Sequence, residues 1–506
     1  MNHWLTAPLL IPLFGGLLQI FMTYAPLQLR RTLALATSAL TVVAAVILLG
    51  LADDGTYRAY ALGNWPPPFG IVLVLDRLAA LMVFMAALLA FFCHLFSIRG
   101  TDEEGDYFHA LFLFQIFGLN IAFLTGDLFN LFVAFEVLLI ASYGLLMHGR
   151  GSKRTVPGLH YVVLNLIGSA MFLIAVGMIY GVTGTLNMAD LAVIVPELDA
   201  EDVPLVKAGG LLLLVVFGLK AAVLPLCFWL PRAYANATAP VAGLFAVMTK
   251  VGIYAILRVY TLIFGDQAGE LANLGMDWIF PAALLTIVAG VIGSLGAAGL
   301  RTLIAWQVIL SVGTLLAAVG LNNMAGTSAA LFYLLNTTWL AGGLFLLADL
   351  IANQRGTVGD LIVTAPRMHS RPLLGVLFLL GATAIAGLPP LSGFFAKLYI
   401  LKAAAPGAQM AWLWSIVLIG GFMTLIAFSR AGSIVFWRNV EGHVDNPGKL
   451  TLPVSVSAGA LIGMTVAIVV LAAPISRYTD ATAAQLHEPS GYISILGTKA
   501  VKGEGQ

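Results

Sequence analysis

A bilayer core about 30 Å thick needs roughly 20 apolar residues of helix to cross it. Runs of that kind recur along this chain at 5–24, 32–50, 71–97, 106–124, 128–147, 157–181, 205–230, 239–264, 279–298, 302–320, 327–353, 371–403, 409–437 and 451–473. In hydrocarbon no water reaches the backbone, so each run must close its own hydrogen bonds as a helix. The expected fold is an all-α polytopic membrane protein of about 14 transmembrane helices. Sixty per cent of the residues are hydrophobic and ten per cent are charged, against about a quarter charged in a soluble domain. A lipid bilayer is the solvent such a surface fits. The first run, Leu5 to Phe21, has no basic segment ahead of it and no small-residue cleavage site, so it reads as a retained span.

A net charge of +1 gives no bias towards nucleic acid or an acidic substrate. Cys93 and Cys227 sit far apart inside apolar runs, which suggests neither a disulfide nor a thiolate metal site. GxGxxG before a helix, P-loop and CxxC patterns are missing, so no cofactor or metal is expected.

Lys and Arg gather in alternate loops: Arg30 and Arg31, Arg99, Arg150 with Lys153 and Arg154, Arg232, Arg301, Arg355 with Arg367 and Arg371, then Arg430, Arg438 and Lys449. The positive-inside rule makes that side cytoplasmic and puts both termini outside. Acidic loops at 182–204 and 265–277 fall opposite. The Asp102, Glu103, Glu104, Asp106 cluster falls on the cytoplasmic side as an exception, although acids weigh little in the rule.

A charge at the bilayer centre costs about 2.5 to 3.5 kcal/mol on insertion scales, so each one needs a reason. Four lie deep in apolar runs: Glu136 in FNLFVAFEVLLIASY, Lys220 in VVFGLKAAVLPLCFWLPRAY, Lys250 in LFAVMTKVGIYAILRVY and Lys397 in IAGLPPLSGFFAKLYIL. Their similar depth in four helices is what a lateral proton relay requires, because each transfer needs neighbours or bridging water. Glu136 and Lys220 read as a pair able to switch between paired and unpaired states. A static ion pair is the alternative for those two, but three lysines cannot all be neutralised by one glutamate. Pro225 follows Lys220, and Pro389 with Pro390 precedes Lys397, so both lysines are expected beside broken helices, which in transporters commonly mark the ion site.

Secondary candidates are weaker. Arg258 can snorkel or stabilise a helix end; Asp349 can guard a cytoplasmic half-channel or sit at a solvated end. Asn336, Thr337 and Thr338 can line a hydrated path or bond helix to helix. Asp76 with Arg77 reads as a local anchor, Asp127 as a helix cap, and His94, His109, His148 and His160 as interfacial packing.

The segments around Glu136, from GLKAAVLPLCFWLPRAY through MTKVGIYAILRV, and LFLLGATAIAGLPPLSGFFAKLYIL resemble the antiporter-like subunits shared by multisubunit Mrp cation/proton antiporters and respiratory complex I. The likeness is greatest to the D-type subunits of Mrp, also called Pha or Sha, antiporters. Lys397 supports this, because one complex I homologue carries Glu there; others continue into C-terminal extensions. The resemblance implies antiporter-like inverted repeats with broken helices 7 and 12: helices 1–3 in residues 1–105, a first repeat (helices 4–8) in 106–264, a second (helices 9–13) in 265–438, and helix 14 with a tail in 439–506. It implies a proton relay of Glu136, Lys220, Lys250 and Lys397, no enzymatic activity, and A, B, C, E, F and G type Mrp subunits as partners in a bacterial plasma membrane. Many relatives have a His and a Lys where this chain has Thr337 and Ala341, which would leave water near Asn336 and Thr338 to carry the link. The expected function is the proton-translocating subunit of a sodium/proton antiporter; the alternative is a proton-pumping membrane subunit of a complex I-like dehydrogenase or membrane-bound hydrogenase. A scaffold without transport of its own is the third.

Overall fold

The structure, a computed structural model, describes residues 3–65, 67, 70–149, 151–441 and 451–495, with backbone alone at 152, 153 and 495. Arg150 and Lys449, and the side chain of Lys153, counted above in the orientation, lie outside the described residues. The helices are α1 (Ala7–Phe21), α2 (Leu27–Ala52), α3 (Arg77–Ser97), α4 (Phe108–Leu124), α5 (Leu128–Met147), α6 (Ser152–Thr183), α7 (Met188–Ile194), α8 (Val203–Ala221), α9 (Trp229–Asn236), α10 (Ala239–Phe245) and α11 (Met248–Leu262). There follow α12 (Met276–Leu295), α13 (Leu300–Val319), α14 (Met324–Gln354), α15 (Arg371–Ala386), α16 (Ser392–Ala403), α17 (Ala408–Gly432), α18 (Leu452–Val470), α19 (Ala472–His487) and α20 (Ser490–Ile495). Among the described residues twelve helical stretches are long and apolar enough to cross a bilayer. The expected spans at 106–124 and 371–403 appear as shorter apolar helices, α4 with 17 residues and α15 with 16, the second continuing beyond a break as α16.

Helices α10, α11 and α14 are buried round their whole circumference, whereas α1, α2, α6 and α17 turn apolar residues such as Phe14, Leu40, Leu166 and Phe422 outward. An outward apolar face is the surface lipid requires, so the centre of the bundle is the one place where polar groups can hide.

The seventh span breaks as expected: α8 stops at Ala221 because Ala222 turns left-handed (φ 61°), and α9 resumes at Trp229. The twelfth breaks at Gly387 (φ 84°), whose amide returns to the Thr383 carbonyl. A third break was not foreseen. The eighth span divides at Ala246 and Val247 into α10 and α11, and the Tyr234 hydroxyl satisfies the Phe245 carbonyl there at 2.8 Å.

Three other expectations need correcting. The third span does not begin at residue 71: Val72–Leu75 forms β2, paired antiparallel with β1 (Arg58–Ala61), and α3 starts after Asp76, whose carboxylate caps Ala79 N at 2.8 Å. The β-branched, alternating VLVL run pairs as a strand before the cap starts the helix. The 182–204 loop contains α7, and the residues after 473 form α19, which packs back on α14, α11 and α3.

The acidic cluster that broke the charge alternation is matched by arginines. Arg31 bonds Asp102 at 2.6 Å and Glu103 at 2.7 Å, and Arg154 meets Glu104 at 3.1 Å. Asp349 is clamped by Arg301 at 2.6 Å and Arg99 at 3.5 Å, so it ties the ends of α14, α13 and α3 instead of standing free as a channel guard.

Candidate functional site: a polar row through the helix breaks

The three intramembrane lysines each stand at a break. Lys220 lies in the last turn of α8, where the carbonyl end of the helix dipole favours a cation. Its ammonium donates to the Asn165 backbone carbonyl at 3.4 Å and side-chain Oδ1 at 3.3 Å, and stands 5.9 Å from the Phe135 ring centroid. Lys250, fully buried in the first turn of α11, donates to Ser311 Oγ on α13 at 3.1 Å and Thr249 Oγ1 at 3.3 Å. Lys397 reaches from α16 to the last carbonyls of α15, Ile385 at 3.1 Å and Ala386 at 2.8 Å. At Lys397 the break frees backbone oxygens that solvate the buried ammonium, whereas Lys220 and Lys250 are met by groups on the neighbouring helices α6 and α13.

Glu136 is half-buried on α5, beside the outward-facing Val133 and Ile140. It acts on Lys220 through charge, but makes no ion pair with it within 4 Å, and its Oε1 is buried without a hydrogen-bond partner. The two stand unpaired, one of the two states expected of a switch and not the static ion pair of the alternative, and Asn165 on α6 occupies the place beside the ammonium.

The lysine-bearing turns of α8 and α11 meet back to back. A Cβ on Gly252 would lie 2.6 Å from the Ala221 nitrogen, so only glycine allows this approach, two residues from Lys250 and one from Lys220. Gly252→Ala is expected to force the helices apart and cost about 1–3 kcal/mol. A lowered thermal midpoint of the purified assembly would register it; an unchanged midpoint would mean the contact is dispensable.

Beyond Lys250 the row continues on α13 and α14. Thr314 lies one turn from Ser311, and the Tyr333 hydroxyl lies against both Thr314 and Thr337. Asn336 Oδ1 accepts from Ser392 Oγ at 2.6 Å, at the start of the half-helix that carries Lys397. Asn336 and Thr337 are thus brought into the row, whereas Thr338 bonds its own helix at Leu334 O, 2.7 Å away, and faces no partner chain of groups. Sequence reasoning missed Tyr333, Asn165 and Ser311. Lone hydroxyls and amides recur throughout the apolar runs, and no spacing distinguishes these three from the rest.

Arg258 belongs elsewhere. Its guanidinium grips Asp76 at 2.6 and 2.8 Å, with both side chains at most 4 % exposed, while Arg77 donates to the Asp53 carbonyl instead. The expected Asp76–Arg77 anchor is replaced by a buried clamp between α3 and α11. Among the described residues no group of three His, Cys, Asp or Glu side chains could hold a metal.

The family model described as NADH:quinone oxidoreductase/Mrp antiporter, transmembrane, matches residues 125–424, which contain all four candidate relay residues. This chain belongs to that family. Within the NADH:quinone oxidoreductase/Mrp antiporter family, relatives align along nearly all of it. The D-type subunit of a probable K(+)/H(+) antiporter of Rhizobium meliloti is 41 % identical over 97 % of this chain and 96 % of its own. Its counterpart in the Na(+)/H(+) antiporter of Bacillus subtilis is 36 % identical over 98 % and 99 %. Among solved structures, a chain of the Mrp complex from Dietzia sp. superposes with a TM-score of 0.86 at 28 % identity, covering 98 % of this chain and all of that one. The polar row therefore lies in a fold of the antiporter family.

Proposed function

We infer that this chain is the proton-conducting subunit of a multisubunit monovalent cation/proton antiporter in a bacterial plasma membrane, with both termini on the outer side. The observation that carries the reading is the buried row itself. Three lysines, each at a helix break, stand among polar side chains: Asn165 bonds Lys220, Ser311 bonds Lys250, Tyr333 lies against Thr314 and Thr337, and Ser392 bonds Asn336 at the start of the half-helix that carries Lys397. Lysine at a low-dielectric site gives up its proton far more readily than in water, and hydroxyl and amide groups can hold the bridging waters that transfer needs. Glu136, Lys220, Lys250 and Lys397 are the relay. Residues 106–264 and 265–438 are its two inverted halves, each with a broken helix carrying a lysine. Names of relatives point to both sodium and potassium as the exchanged ion, and the cation passes with the help of other Mrp-type subunits.

The test is cation-dependent proton movement in inverted vesicles containing the complete assembly. Lys397→Ala is expected to reduce transport at least about tenfold, the lower end of what a positioned proton donor or acceptor contributes being larger still. The exposed Lys207→Ala is expected to leave it unchanged. Equal transport in both variants, with assembly verified, would remove the relay from this chain and leave a scaffold. Because the family also contains subunits of NADH:quinone oxidoreductases, the second reading is a redox-driven pump. Co-purifying iron–sulfur subunits, in place of small antiporter subunits, would favour it.

A further inference from the structure

Outside the lysine row, the middle of α2 and the facing ends of α3 and α4 hold a second chain of titratable groups. Ser38 Oγ on α2 bonds His94 Nδ1 on α3 at 2.7 Å, His94 Nε2 bonds His109 Nδ1 on α4 at 2.8 Å, and His109 Nε2 bonds Asp102 Oδ2 at 3.2 Å. All four residues are at most 2 % exposed, and the Phe112 ring lies 4.4 Å from that of His94. This is not interfacial packing of histidines at span ends, as the sequence suggested. Every polar atom of both rings is bonded, head to tail, from a serine to a carboxylate.

We propose that Ser38, His94, His109 and Asp102 form a proton-binding site that holds one proton on His109, separate from the lysine row. The count of hydrogens carries it. With Asp102 ionised, one complete arrangement has His109 and His94 each protonated on Nε2, donating towards Asp102, and Ser38 donating to His94 Nδ1. One added proton gives a second complete arrangement. His109 then carries hydrogens on both nitrogens and donates to Asp102 and to His94 Nε2; the His94 hydrogen moves to Nδ1 and donates to Ser38, whose own hydroxyl hydrogen rotates away. Each of the three links holds one hydrogen in both arrangements, so every ring nitrogen and the Asp102 oxygen stay bonded and no heavy atom moves.

The carboxylate end of the chain favours the occupied form. Asp102 shares Arg31 with Glu103, and an imidazolium at His109 adds a charge-assisted bond to the same carboxylate. The other charged groups nearby are Glu104, met by Arg154; Asp349, shared by Arg99 and Arg301; and Arg30, whose guanidinium donates to the Asp106 backbone carbonyl. His148, whose Nε2 donates to the Thr101 carbonyl at 2.7 Å, is held below the ordinary histidine range by burial. Burial pushes the Asp102 carboxyl up, but Arg31 and His109 outweigh that and keep it below the usual carboxylate range. The added proton therefore rests on imidazole and not on the carboxyl.

The experiment is solid-state NMR of the complete assembly in lipid with ¹³C,¹⁵N-histidine, scanned between about pH 5 and pH 9 around the ordinary histidine value. Signals of the two rings are assigned by their loss in His94→Gln and His109→Gln. The expected result is one shared transition as pH falls: His109 gains the imidazolium signature while His94 passes from Nε2–H to Nδ1–H. Asp102→Asn is expected to abolish it. Rings that keep one form across the range, rings that titrate at separate midpoints, or a coupled transition surviving in Asp102→Asn would each overturn the proposal. Should either variant fail to assemble, the coupling across the His94 Nε2–His109 Nδ1 hydrogen bond identifies the two rings in the unmodified protein, which then decides between the first two outcomes and the expected one.

Discussion

Arg258→Ala is expected to lower the stability of the protein by about 3–5 kcal/mol, the usual loss when one member of a buried ion pair is removed. Asp76 would keep its helix-capping bond to Ala79 but lose both guanidinium bonds in a site at most 4 % exposed. The damage spreads, because the guanidinium also stands 5.6 Å from the Tyr254 ring and 5.2 Å from that of Tyr492, and so ties α3 and α11 to the α20 segment. Thermal unfolding of the purified assembly, followed with the amount of chain recovered from membranes, measures the effect. Asp76→Leu combined with Arg258→Leu should recover part of the loss, since replacing both partners by apolar groups leaves no unpaired charge. A single variant with a normal midpoint would show that water or lipid headgroups reach the pair. Transport by a correctly assembled Arg258 variant is expected to be near normal, because the clamp lies apart from the polar row.

The second large effect is expected at Lys220, where Lys220→Ala and Lys220→Arg should both reduce cation-coupled proton movement at least about tenfold while the assembly still forms. The arginine variant separates the two readings of this residue. Guanidinium keeps the positive charge and can still donate to Asn165, so a purely structural cation would be largely replaced by it. It cannot release a proton at any physiological pH, so a relay stops. Lys220→Arg with near-normal transport would therefore sink the relay at this position. Glu136→Gln should cut transport less than Lys220→Ala does. Its carboxylate acts on Lys220 through charge without touching it, and the amide keeps the shape of the side chain.

The membrane class, the existence and approximate place of most spans, the broken seventh and twelfth helices and the four deep charges could all be read from the sequence. Each rests on a property that one segment carries by itself. Twenty apolar residues must form a helix in lipid whatever surrounds them, Pro225 and Pro389 disrupt helices locally, and a charge in such a run is anomalous without reference to any neighbour. Pairing across helices is different, because it depends on rotation and depth set by packing. Lys220 meets Asn165 instead of Glu136, Arg258 meets Asp76 across 182 positions of sequence, and Tyr333 joins Thr314 to Thr337 where water beside Asn336 and Thr338 was expected to carry the link. The break ahead of Lys250 was hidden for a related reason: no proline or glycine stands at Ala246 or Val247, and the interruption is supported by Tyr234, a residue from a different helix. Hydrophobic periodicity determined which segments enter the membrane; only tertiary packing, which brings atoms far apart in sequence within hydrogen-bonding distance, decided which buried charges share a path and which simply hold helices together.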